Sequence, residues 1–121
     1  MKKILVVEEM DGVRDLVSRS LSDMGFEVIV APLSAKGVER NFKEFEEEVV
    51  CVISDGRINA RIDGVDVVKI VMSISRKVPI IALTADSLIG VSMLKAGADW
   101  FLQKPFNLGE FRSIVKNLIG R

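Results

Sequence analysis

The chain has 121 residues, with 17 basic against 17 acidic side chains, one cysteine and no histidine. That length suits one domain, expected over residues 1–121, able to bury a core without disulfides or structural metal. Balanced charge gives no general attraction to nucleic acid or anionic membrane, and the absence of histidine excludes histidine catalysis, histidine-ligated metals and the usual neutral-pH switch. Cys51 lies inside an apolar run and reads as a small core hydrophobe, which fits the cytoplasm. No apolar stretch is long enough to span a bilayer, and the opening "MKKILVVEEM" is too short for a signal peptide.

In chain order, "KILVV" (3–7) predicts a buried strand, and Val13, Leu16, Val17, Leu21 and Met24 share one face of a following helix. Asp11 is its expected N-cap and Gly25 its C′ residue. "FEVIVA" (26–31) alternates like a half-buried strand. A second helix carries Ala35, Val38, Phe42 and Phe45 behind an N-cap at Ser34. Its tail "EFEEE" (44–48) reads as a solvated end. "VVCVI" (49–53) is a continuous apolar strand, followed by a helix around Val67, Val68, Val71 and Met72. "VPIIALT" (78–84) is another strand. A helix between Ser87 and Lys95 ends at Gly97. "DWFLQ" (99–103) is the fifth strand. The last helix carries Leu108, Phe111, Val115 and Leu118, with Asn107 and Glu110 spaced as a capping box.

Five strands alternating with five helices predict an α/β fold: a doubly wound parallel sheet with helices on both faces. After Lys3, the runs at 3–7, 49–53 and 78–83 are apolar throughout, as central strands buried on both faces must be. The runs at 26–31 and 99–103 are mixed and belong at the edges. The expected strand order is therefore 2-1-3-4-5.

In such a sheet, ligands bind beyond the carboxyl ends of the strands, near the point where strand order reverses. There the sequence places Glu8 and Glu9 after strand one, Asp55 after strand three, Thr84 at the end of strand four, and Lys104, then Pro105, after strand five. Each pair of like charges at ~4 Å costs about 4 kcal/mol at an effective dielectric of about 20. Such a cluster requires positive charge. Lys104 supplies one unit, and a divalent ion taking oxygen ligands, Mg²⁺ or Mn²⁺, would supply two. Glu8, Glu9 and Asp55 then balance the metal and Lys104. The set suits phosphoryl chemistry, with Asp55 as nucleophile and Thr84 donating a hydrogen bond to a phosphoryl oxygen. An alternative, a small-ligand or cofactor-binding doubly wound domain, lacks the glycine-rich phosphate loop after strand one, since "VVEEMDGVRD" contains no G-x-G.

With these residues in place, the chain resembles the response-regulator receiver domains (CheY-like) of two-component signalling. The likeness covers essentially the whole chain and rests on "ILVVEEM", "VISDGRI", "IIALTAD" and "AGADWFLQKPF". It implies Mg²⁺-dependent phosphoryl transfer from a sensor histidine kinase or phosphotransfer protein to Asp55. The implied metal ligands are Glu8, Glu9, Asp55 and the backbone carbonyl of Arg57. Thr84 and Lys104 take the family's hydroxyl and lysine roles, and Thr84 and Phe101 its switch roles. Arg57 and Asp86 fall where the family tunes dephosphorylation, and their opposite charges predict a pair across the cleft. The Lys104–Pro105 bond is expected to be cis.

The output surface is expected on helix four, strand five and helix five, toward a downstream protein or a second copy in a homodimer. No direct contact with nucleic acid or membrane is implied. If nothing follows helix five, output is by protein contact alone.

The chain departs from the family pattern at four places. Glutamates stand at 8 and 9 where aspartates are usual. Asn59 replaces a common proline, and Gly64 comes one residue late. The segment between "LTA" and "AGA" is about two residues short, so helix four is expected to be short or displaced. Phe101 stands where tyrosine is common. The paired glutamates open an alternative reading: a pseudo-receiver that binds proteins without being phosphorylated. "SLIGVSMLK" carries more apolar residues than one helix face buries. It is either a distorted loop packed inward or an apolar patch for a partner, with Trp100 beside it.

Overall fold

A computed structural model describes residues 1–120. The elements are β1 (Lys3–Val7), α1 (Asp11–Asp23), β2 (Glu27–Val30), α2 (Ala35–Glu44), β3 (Val49–Ser54), α3 (Gly64–Ile74), β4 (Ile80–Thr84), α4 (Ser87–Ala96), β5 (Trp100–Gln103) and α5 (Leu108–Ile119). The strands form one sheet in the order β2-β1-β3-β4-β5, and every pairing is parallel. This is the order expected from the apolar and mixed runs.

Side chains alternate along a strand, so each central strand feeds two cores. On one face Leu5, Val7, Val52, Ile80 and Ala82 pack with Val38, Phe42, Val67, Val68, Val71 and Met93 of α2, α3 and α4. On the other, Ile4, Val6, Cys51, Ile53, Ile81 and Leu83 pack with Val17 and Leu21 of α1 and Phe111 and Val115 of α5. Burial on both sides is why these strands are apolar except at their ends, Lys3, Ser54 and Thr84. Burial also pushes the Cys51 thiol pKa far up, leaving it inert.

Several helix ends follow local chemistry. Ser34 caps α2 by accepting the Gly37 N–H, and Asn107 caps α5 by accepting that of Glu110. A complete reciprocal box stands at α3, between Asp63 and Asp66. Gly25 follows α1 with φ 93°, as a left-handed C′ glycine should. The α1 start corrects the expectation for Asp11. The N-cap is Met10, without a side-chain cap, because the helix begins one residue earlier. Asp11 instead lies in the first turn, where a carboxylate suits the helix dipole, and binds Arg14 at 2.6 Å. The 44–48 run is solvated in its glutamates, except that Glu48 joins Glu27 in holding Lys3 at the base of the sheet.

The segment "SLIGVSMLKA" is a regular ten-residue helix, not a distorted loop. It buries Gly90 and Met93 and exposes Leu88, Val91 and Leu94, with Leu88 80% exposed. Trp100 is also exposed. Among the described residues, no helix is long and apolar enough to cross a membrane.

Candidate functional site

Parallel strands end together along one rim of the sheet, so the residues that follow them are neighbours. Glu8 follows β1 and is 2% exposed. Asp55 follows β3 and is 4% exposed, its backbone N–H bound to the Val7 carbonyl at 2.7 Å. Lys104 follows β5, its backbone N–H bound to the Thr84 carbonyl at 3.0 Å. These backbone bonds fix where each side chain starts.

The three side chains meet. Lys104 Nζ lies 2.9 Å from Glu8 Oε1, 3.0 Å from Glu8 Oε2 and 3.3 Å from Asp55 Oδ2. The ammonium therefore straddles one carboxylate and reaches the other. Asp55 Oδ1 accepts the Gly56 N–H at 2.7 Å, and Glu8 Oε2 accepts the Met10 N–H at 3.0 Å. Two buried anions share one cation, so the cluster carries an excess negative charge when both are ionised. Burial, opposed by the Met10 N–H and Lys104 and reinforced by Asp55, pushes the Glu8 pKa up to about 7.

Thr84 is buried at the same rim, and its Oγ1 accepts the Asp86 N–H at 3.3 Å. Arg57 and Asp86 pair across the cleft, with Nη2 2.6 Å and Nε 2.8 Å from Oδ2. The other oxygen, Oδ1, caps α4 through the N–H groups of Leu88 and Ile89. The guanidinium beside Asp86 holds its carboxyl pKa below the ordinary value, aided by these caps. Phe101 is half-buried against α4. The Lys104–Pro105 peptide is cis.

Glu9 stands apart from the cluster. It is exposed and lines a polar hollow of about 400 Å³ with Arg57, Ile58, Asn59 and Asp63. Among the described residues, no three acidic or cysteine side chains converge as a metal site. The donor chemistry nevertheless suits a hard cation: the carboxylates of Glu8 and Asp55 are oxygen ligands, and together they exceed the single charge of Lys104.

The loop from Gly56 to Asp63 is folded on itself. Gly64 N–H binds the Gly56 carbonyl at 2.8 Å, and Arg57 bridges Asp63. Asn59, where proline was the family expectation, organises the turn: its Oδ1 accepts from Arg61 and Ile62, and its Nδ2 donates to the Leu33 carbonyl. A Cβ at Gly64 would lie 2.6 Å from the Asp55 carbonyl oxygen and 2.5 Å from Met93 Sδ. Gly64→Ala is therefore expected to displace the loop and cost about 1–3 kcal/mol by overpacking. Urea denaturation checks this, and unchanged stability would show that the loop yields without strain.

Two contributors escaped the sequence reading. Gly56 holds Asp55 through its N–H and has no room for a side chain. Its missing Cβ would lie 2.5 Å from Ile89 Cγ2 and 2.9 Å from Thr84 Oγ1. A glycine directly after an acid at a strand end was the available signal. Ile89 had none.

The chain is similar to known proteins along its length. The response regulator receiver domain profile matches residues 4–116. The response regulator MprA of Mycobacterium leprae is 31% identical over 121 residues, covering 98% of this chain and 51% of that protein. MprA of Mycolicibacterium vanbaalenii is 32% identical with the same coverage. The chain thus spans about half the length of these curated relatives. Among solved structures, a response regulator receiver domain protein from Clostridium thermocellum superposes with TM-score 0.88 at 26% identity, covering 100% of this chain and 96% of that one. The receiver domain of a sensor histidine kinase from Pseudomonas aeruginosa, with a magnesium ion coordinated in its active site cleft, gives 0.84 at 27% identity, covering 99% and 98%. Sheet order, the acid–lysine cluster at the strand ends and these likenesses agree: the chain belongs to the response regulator receiver domain family.

Proposed function

We propose that this domain accepts a phosphoryl group on Asp55 from a histidine kinase or phosphotransfer protein and relays the signal through α4, β5 and α5. The observation that carries the reading is the Lys104 ammonium held between the buried carboxylates of Glu8 and Asp55. A carboxylate oxygen of Asp55 attacks phosphorus. The donor's P–N bond breaks, and its electron pair stays on the imidazole nitrogen. Lys104 offsets charge on the transferred oxygens, and the Thr84 hydroxyl donates to one of them. Glu8, Glu9, Asp55 and the Arg57 backbone carbonyl would hold Mg²⁺ or Mn²⁺, which when bound adds further positive charge to the phosphoryl group. The exposed Leu88, Val91, Leu94 and Trp100 support an output face for a downstream protein or a second copy. The cytoplasm is the compartment proposed.

The position of Glu9 favours a second reading, a pseudo-receiver whose binding to proteins is independent of phosphorylation. Calorimetric titration with Mg²⁺ separates the two. Saturable one-to-one binding at millimolar metal supports the first. No heat of binding supports the second.

Arg57 and Asp86 are proposed to slow hydrolysis by closing the cleft to the attacking water. Arg57→Ala is expected to speed dephosphorylation roughly two- to fivefold, the rate equivalent of an exposed ion pair. A decay rate equal to or below the parent's would reject that role.

A further inference from the structure

We propose that Gly90 of α4 is a seat for the Phe101 ring, and that this seat holds the ring against α4. Gly90 is buried in the interior of a regular helix, where glycine is less favourable than alanine. A packing reason is therefore needed, and the structure contains one. A Cβ at position 90 would lie 2.5, 2.6 and 2.7 Å from Cζ, Cε1 and Cε2 of Phe101. The ring tip occupies the space that any other residue's side chain would fill.

The backbone of Phe101 is fixed by its register with Ala82 of β4, so only the side chain can respond. Phenylalanine has no hydroxyl to anchor it, so shape alone retains the ring. The adjacent residue, Ile89, packs over Gly56, which also lies against Thr84. Consecutive residues of α4 thus touch the loop beside Asp55 and the aromatic on β5. Gly90 is a positioning residue in this arrangement and does not touch the reacting atoms. Its importance for signalling rests on the proposed switch role of Phe101. Its effect on ring position does not.

The test uses unphosphorylated protein without metal or phosphodonor, so its failure is distinct from failure of Asp55 chemistry. Gly90→Ala is expected to turn the Phe101 ring outward, where the residue is already half exposed. The readouts are the χ1 couplings and ring shifts of labelled Phe101. A second readout is thermal. In a Phe101→Ala background, Gly90→Ala should raise Tm by roughly 3–5 °C through helix propensity, whereas in the parent it should lower Tm. An unchanged Phe101 rotamer with the same Tm change in both backgrounds would overturn the proposal. If Gly90→Ala alone does not fold, folding of the Gly90→Ala, Phe101→Ala double variant supports the seat, and failure of both rejects it.

Discussion

Asp55→Asn is expected to abolish the phosphoryl adduct that the parent forms with Mg²⁺ and a small phosphodonor. A carboxamide has the same shape but does not serve as the nucleophile. Its oxygen can still accept the Gly56 N–H that Asp55 Oδ1 now accepts at 2.7 Å. Lys104 keeps its partner in Glu8, so the substitution removes one of two buried anions and leaves a balanced pair. The variant should therefore fold, and loss of the adduct will report chemistry. Intact mass measured side by side provides the check. An adduct that survives in Asp55→Asn would place the acceptor elsewhere. No adduct on a parent with native circular dichroism would favour the binding-only reading.

The fold was legible because burial on two faces writes itself into whole strands. The runs "KILVV", "VVCVI" and "IIALT" have no polar residue in their interiors, and they are β1, β3 and β4 at the centre of the sheet. The cluster was legible for a related reason: Glu8, Asp55 and Lys104 each come directly after a strand, so register alone brings them together. Glu9 is one residue further on. Successive side chains alternate in direction, and Glu8 is buried while Glu9 is exposed. Adjacent glutamates in the sequence therefore do not make adjacent ligands. Around α4 the sequence was ambiguous. Its apolar residues crowd one and a half turns, and periodicity does not decide which of them the neighbours leave uncovered. The contacts of Ile89 with Gly56 and of Gly90 with Phe101 depend on how the helix sits against the loop and β5, which no local pattern encodes.

Between pH 5 and 8, in the presence of a chelator, the parent is expected to lose stability that Glu8→Gln keeps. An unfolded glutamate titrates near pH 4.3, whereas folded Glu8 titrates at about 7, chiefly because it is buried. Across that window the folded chain retains a proton that the unfolded chain has released. Stability from this group is thus fully present below the unfolded value and is lost as pH rises through 7. The difference is on the order of 3 kcal/mol. Its physical origin is the charge count: once Glu8 ionises, two buried carboxylates face one ammonium, whereas glutamine leaves Asp55 and Lys104 as a neutral pair. Urea denaturation of both proteins at several pH values measures this, and parallel curves would reject the assignment. Added Mg²⁺ should restore part of the parent's stability at pH 8, because a cation that binds only the folded chain stabilises it by mass action. Glu8→Gln should gain less, having lost one of the two buried carboxylates that share Lys104. The excess of two buried carboxylates over one ammonium is the charge that a divalent cation would offset.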